Sequence, residues 1–172
     1  LRTTLPASRV QPLVCNFLSS ELSPRATMHS SFMDVFGVGI LLTGRSGVGK
    51  SECALELIMR GHPLVADDVV ELRRKGRDII GRSPELVRNH LEIRGLGIVN
   101  VRDLFGVISV RERKTVDLVI ELVEWKQGAQ FDRTGIEELR KDILGVLLPH
   151  LIIPVPPGRN LGTIVEVAAR NE

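Results

Sequence analysis

The run Gly44-Arg45-Ser46-Gly47-Val48-Gly49-Lys50-Ser51 satisfies the pattern G-x-x-x-x-G-K-[ST] at every position, the spacing with which a backbone loop encloses a polyphosphate. Its glycines permit backbone angles closed to other residues and let successive N–H groups turn inward around the phosphates. Lys50 supplies a mobile ammonium, and Ser51 offers a hydroxyl to a magnesium ion bound with the phosphates. Sixteen residues after Ser51, the apolar stretch Leu64-Val65-Ala66 runs into Asp67-Asp68. An apolar strand that ends in carboxylates brings an acid to such a metal, directly or through water. One carboxylate suffices for that, which leaves a second to take the proton of an attacking hydroxyl. The plain alternative is a surface turn with two solvated acids, and the loop upstream is what argues against it. His29 stands 21 residues before Lys50. A lone histidine is more often packed or solvated, but a strand next to the one feeding the loop ends at the same rim, which makes His29 a candidate. His62, His90 and His150 have no comparable argument.

These groups need a strand–loop–helix frame, and the pattern supplies one. The chain reads as strands at 28–35 and 38–43 around a turn at Phe36-Gly37, the second leading into the loop,. A helix over 51–60 follows, with Cys53, Ala54, Leu57 and Ile58 on one face and Gly61 placed to end it,. Strands are expected at 64–66 and 69–72, an exposed hairpin turn at 73–78, and a return to the sheet at Ile79-Ile80. The stretch Leu91-Glu92-Ile93-Arg94-Gly95-Leu96-Gly97-Ile98-Val99-Asn100 is odd for a plain strand, because spaced glycines weaken strands unless something approaches the backbone,. Further on, a short helix is expected at 101–105 carrying Asp103, a buried strand at 116–125, and a loop holding Phe131-Asp132-Arg133. A short helix at 136–144, a strand at 151–155, a loop at 156–160 and a last strand at 164–169 complete the reading. Strands outnumber clear helices, so the expected class is α/β with a mixed sheet built around a phosphate loop.

Bulk properties narrow the function classes. A chain of 172 residues fits one ordinary domain,. Its 28–172 portion reads as that domain, and 1–27, punctuated by prolines around a short helix at 13–22, as a leader from a preceding part of a longer chain,. A net charge of +2 and the shortage of aromatics, one Trp and no Tyr, make no case for a nucleic-acid partner,. Charge does cluster at Arg73-Arg74-Lys75 with Arg77, and again over 111–114. Each cluster is either solvated or a docking patch for an acidic partner, the solvated reading being favoured for the first. Cys15 and Cys53 lie far apart, as in a reducing compartment without a disulfide framework or zinc site,. No apolar run reaches the ~20 residues that span a bilayer, so no membrane partner is expected and a cytoplasmic protein is the default.

The combination, in order, of His29, G-x-S-G-V-G-K-S-E, the L-V-A-D-D pair, L-E-I-R-G-L-G-I-V-N-V, F-D-R and P-x-x-x-G-R-N resembles the catalytic domain of the HPr kinase/phosphorylase family from about residue 26 onward. The resemblance implies a fold similar to the nucleotide-binding core of phosphoenolpyruvate carboxykinase. It implies phosphorylation of a regulatory serine on HPr, the small phosphocarrier of the sugar phosphotransferase system, with ATP or pyrophosphate and Mg2+. It also implies removal of that phosphate by inorganic phosphate, giving pyrophosphate, and a hexameric assembly. Position by position, His29, Lys50 and Arg133 match catalytic residues. Asp67 and Asp68 match the base and a metal-associated carboxylate, Asp68 being the choice for the base, and Ser51 and Glu92 match magnesium ligands. Residues 91–100 match a segment needed in both directions, and 154–159 one tied to dephosphorylation. The chain departs from the family pattern at Ser30, usually Gly, and Arg45, usually acidic, and both bear on the balance of directions. Family members continue with C-terminal helices that contact HPr and neighbouring subunits, and with a last strand read at 164–169 those helices are expected to fall outside this sequence.

Two rival readings share the loop. A small-molecule or carboxykinase-like kinase would want a cluster of small-substrate contacts, which the sequence lacks. A non-catalytic nucleotide-gated module has no need of the base that Asp67-Asp68 and Arg133 suggest. A GTPase is disfavoured because no N-K-x-D motif occurs.

Overall fold

Val38–Gly44, the apolar run that feeds the glycine-rich loop, is an inner strand of a six-stranded sheet. The computed structural model describes residues 6–125, 139–156 and 160–172. Among them the elements are α1 (Ala7–Glu21), β1 (Arg25–His29), β2 (Ser31–Val35), β3 (Val38–Gly44), α2 (Lys50–Met59), β4 (Leu64–Ala66), β5 (Val69–Lys75) and β6 (Asp78–Arg82). There follow β7 (His90–Ile93), β8 (Gly97–Asn100), α3 (Val101–Phe105), β9 (Arg113–Thr115), β10 (Leu118–Glu124), β11 (Leu139–Ile143), β12 (Val146–Val155) and α4 (Leu161–Arg170).

The large sheet has the order β11-β12-β10-β3-β2-β4. Strands β3, β10 and β12 run parallel, and β11, β2 and β4 are antiparallel to their neighbours. Strands β1, β5, β6 and β9 form a second, antiparallel sheet, and β7 with β8 a separate hairpin. Successive side chains on a strand point to opposite faces. Ile40 and Leu42 therefore enter a core with Ala54, Leu57 and Ile58 of α2 and Val165 and Ala169 of α4. Leu41, with Phe32 and Val119, enters another with Val70, Leu72 and Ile79 of the second sheet. Because helices cover one face of β3 and a sheet the other, its sequence is continuously apolar rather than alternating. The mixed α/β architecture is the expected one.

Several elements differ from the sequence reading. The single strand expected at 28–35 breaks at Ser30: β1 belongs to the small sheet and β2 to the large one. The turn expected at 73–78 is shorter, since β5 runs to Lys75 and β6 resumes at Asp78. The first helix is longer than 13–22 and carries Pro12 inside it. The helix expected at 136–144 is, over Leu139–Ile143, strand β11, turned back onto β12 through Leu144-Gly145 with φ of 53° and 76°. The last strand, expected at 164–169, is helix α4, whose first turn is capped by Asn160 accepting from the Thr163 N–H at 2.9 Å. The spaced glycines of 91–100 make a hairpin turn, Gly95 and Gly97 taking φ of 86° and 91°, where a side chain would be strained,.

Candidate active site

The chain crosses from one sheet to the other at Ser30, between β1 and β2, and again at Asp67-Asp68, between β4 and β5. The two crossings touch, the Ser30 N–H donating to the Asp68 carbonyl at 3.2 Å. A pocket opens beside this seam, lined from the phosphate loop by Ser46, Gly47, Gly49, Lys50 and Ser51, and from the seam by His29, Asp67 and Asp68. Glu92 and Arg94 close a third side from the β7–β8 hairpin.

On the loop side, Gly49 at φ 106° precedes the first turn of α2, so the free N–H groups of that turn and the positive end of the helix face the pocket,. Gly44 packs so closely on β10 that a Cβ would lie 2.4 Å from the Leu122 carbonyl oxygen. Lys50 is buried, its Nζ donating to the carbonyls of Gly44 at 3.1 Å and Arg45 at 3.2 Å, which braces the loop around the ammonium. Val48 is buried in the helix-side core and holds the loop down, whereas Arg45 is exposed and outside the pocket lining. Cys53, one turn along α2, faces the core, and burial pushes its thiol up to about 12, so it is no nucleophile for this pocket,.

On the seam side the adjacent carboxylates have different partners. Asp67 is buried and accepts the Ser51 hydroxyl at 2.9 Å on Oδ2 and the Ser31 hydroxyl on Oδ1. Asp68 sits in the left-handed region, φ 64°, in a tight turn where the Val69 N–H donates to the Asp67 carbonyl at 2.8 Å. That conformation, uncommon outside glycine, turns its carboxylate away from Asp67. Asp68 Oδ1 lies 2.8 Å from His29 Nδ1, with both side chains more than half exposed (53% and 57%). His29 reaches it because β1 pairs with β5 in the register His29–Val69.

In the hairpin, Leu91 is fully buried against the α2 core and anchors β7, so Glu92, one residue on, points the other way,. Arg94 leans over the loop: a Cβ on Gly47 would lie 3.1 Å from its Nη2. The structure thus gathers His29, Lys50, Ser51, Asp67, Asp68 and Glu92 about one pocket. Arg133 lies outside the described residues, as does 157–159 of the segment 154–159. Ser30 is buried at the seam, its hydroxyl directed at the Met28 carbonyl 3.5 Å away rather than into the pocket.

Three site residues escaped the sequence reading: Ser31, Arg94, and Glu52, which lines the pocket from the first turn of α2. Ser31 offered one signal, a hydroxyl at the head of an apolar strand; Arg94 offered its place two residues from Glu92 in a hairpin. Among the described residues no three His, Cys, Asp or Glu side chains stand close enough to hold a metal alone. The oxygen donors of Ser51, Asp67 and Glu92 suit a hard cation that takes its remaining ligands from phosphates and water,.

A family model, the HPr serine kinase C-terminal domain, matches residues 20–172. The HPr kinase/phosphorylase of Bacillus pumilus is 52% identical over 172 residues, 99% of this chain and 56% of that protein. The HPr kinase/phosphorylase of Leptospira biflexa is 52% identical over 174 residues, covering 99% and 54%. A solved structure, that of the Hpr(Ser) kinase/phosphatase from Coxiella burnetii, superposes with a TM-score of 0.78 at 37% identity, over 85% of this chain and 89% of that one. The chain spans about half the length of the curated relatives it matches. Over nearly its whole length, this chain belongs to the HPr serine kinase C-terminal domain family.

Proposed function

We propose that this chain carries the catalytic machinery of a bifunctional protein-serine kinase/phosphorylase acting on a regulatory serine of HPr. The observation that carries this reading is the division of labour between neighbouring carboxylates: Asp67 on the loop serine, Asp68 on a histidine at the open side of the same pocket. A serine hydroxyl is a weak nucleophile until a base removes its proton. Asp68 takes that proton as the serine oxygen bonds to the γ-phosphorus of ATP, and the bond from phosphorus to the leaving ADP oxygen breaks. Pyrophosphate serves as donor in the same way, releasing inorganic phosphate. In the other direction an oxygen of inorganic phosphate attacks the phosphoserine phosphorus. Protonated Asp68 returns its proton to the departing serine oxygen, and pyrophosphate forms. His29, 2.8 Å from Asp68, holds that carboxylate in place at the open side of the pocket.

Charge on the transferred group is met by Lys50, the loop N–H groups, Arg94 and Arg133. Ser51, Asp67 and Glu92 would hold Mg2+ against the phosphates, where its charge neutralises theirs. The likeness to the phosphoenolpyruvate carboxykinase core fits a phosphate loop on an inner strand of a mixed sheet. A cytoplasmic hexamer preceded by a further domain completes the reading on the strength of the family; among the described residues no helix is long and apolar enough to cross a membrane.

The deciding experiment incubates the chain with labelled ATP, Mg2+ and HPr, then repeats with Asp68→Asn. Label should appear on the HPr serine and fall by about 10²-fold or more in the variant, the usual contribution of a positioned base. Label on a metabolite would favour a small-molecule kinase, and nucleotide binding without transfer a non-catalytic module.

A further inference from the structure

The exposed face of the small sheet carries a charge pattern that the pocket does not use. β1, β5, β6 and β9 turn one set of alternate residues into the second core and the other set outward. The registers place Arg25 directly opposite Arg73, and Arg82 directly opposite Arg113, on the outward set. Like charges facing each other across strands oppose pairing, so a sheet selected for stability alone would not keep two such pairs on one face. Within the face Glu71 ion-pairs with Arg82 at 2.8 Å, and the Arg73 Nε–H donates to the Ser23 hydroxyl. The groove along this face is lined by seven Arg or Lys residues and two Glu, while the whole chain carries only +2. The positive field is therefore local, and it unites the two basic clusters of the sequence, Arg73 and Lys75 from one and Arg113 from the other.

The position of this face gives it a meaning. Arg25, Thr27 and His29 are alternate residues on the outward side of β1, and all three are exposed. At about 3.4 Å per residue, Arg25 lies roughly 14 Å from His29 along one straight strand. The groove thus leads to the His29–Asp68 pair. Its charges are spread over four strands and exposed (the Arg82 side chain is 61% exposed), which suits a broad acidic surface rather than one small anion held in a closed site.

We propose that the outward face of β1-β5-β6-β9 is the docking surface for an acidic side of the acceptor protein, and steers its serine to Asp68. This inference rests on the reading of the chain as a protein-serine kinase. Its test uses steady-state phosphorylation of HPr by the whole chain and by Arg113→Glu combined with Lys75→Glu, neither residue belonging to the pocket. Arg113→Glu sets a carboxylate opposite Arg82, which favours strand pairing and offsets the like charge that Lys75→Glu sets opposite Asp78 at the exposed end of β5, so the variant should fold,. KM for HPr should rise roughly tenfold or more while kcat and KM for ATP stay within about twofold. Raising salt from about 50 to 300 mM should raise the wild-type KM for HPr steeply and the variant's much less. Glu71→Gln, which makes the face more basic, should lower that KM. Transfer to HPr with an unchanged KM in the charge-reversed variant overturns the docking surface alone, as does a change in solution mass without a change in KM, which would make the face a contact between copies. A wild-type chain that transfers nothing to HPr overturns this inference and the kinase reading together.

Discussion

Arg94 reaches over Gly47, where a Cβ would lie 3.1 Å from its Nη2. A planar, permanently charged fork above a phosphate loop can bind two phosphate oxygens at once, which a lysine ammonium does as a point charge. Arg94→Ala should therefore weaken nucleotide affinity and slow single-turnover transfer, each by about tenfold or more, and Arg94→Lys should recover only part of the loss. Titration of ATP binding with a rapid-quench measurement checks both; an unchanged affinity and rate would remove Arg94 from the phosphate contacts. Lys50, Ser51 and Asp67 were legible in the sequence because their chemistry is set by fixed local spacing around one loop and one strand end. Arg94 was not, because its relation to Gly47 depends on where a hairpin 47 residues downstream is packed. Ser31 was missed for the same reason, its partner Asp67 standing 36 residues away.

At the scale of elements, the pairing of α2 with α4 shows why α4 read as a strand. Ile164, Val165 and Val167 are β-branched and favour a sheet by themselves. The helix is imposed from outside: the Glu56 carboxylate accepts the Gly162 N–H at 3.0 Å, Asn160 caps Thr163, and Leu161, Val165 and Ala169 bury on one side. Conversely, 136–144 reads as a short helix in the sequence. Leu139–Ile143 is a strand because the Leu144-Gly145 turn, closed by Asp142 accepting the Gly145 N–H at 3.0 Å, returns it onto β12. The α2–α4 contact also carries a pH signature. Glu166 lies 2.8 Å from His62 and 3.0 Å from Arg60, and these partners hold its carboxyl below the ordinary range, the His62 hydrogen bond foremost, despite partial desolvation. A depressed folded-state value means that the stabilisation is complete above the unfolded carboxyl pKa of about 4.3 and is lost as pH falls through the folded one. The stability gap between wild type and Glu166→Gln should accordingly be constant above about pH 5.5 and shrink below about pH 4. Urea midpoints from pH 3 to 7 provide the check, and a gap that persists undiminished at pH 3 contradicts the assignment.

For the molecule as a whole, the consequence of two cores sharing one sheet is that neither half of the pocket stands alone. The strand-rich mixed fold was legible in the sequence. The second sheet was not, because the break at Ser30 lies inside a stretch that reads as one strand, and only long-range pairing assigns its halves to different sheets. Leu41 and Leu42 are neighbours on β3, both fully buried, and belong to opposite cores. Leu41 supports the small sheet that carries His29, and Leu42 supports the α2 side that carries Lys50 and Ser51. If the shared strand makes the two cores one cooperative unit, Leu41→Ala and Leu42→Ala should each cost about 2–5 kcal/mol, the range for removing a buried leucine side chain. In each variant, urea unfolding followed by far-UV circular dichroism, by the single Trp125 and by loss of ATP binding should then give one coincident midpoint,. Separate midpoints, with Leu41→Ala releasing the small sheet while the α2 side and Trp125 stay folded, would show two independently melting halves. The reacting pair His29–Asp68 would then be joined to the phosphate loop only by the chain crossings at Ser30 and Asp67-Asp68, and the pocket's geometry would owe nothing to the core beneath it.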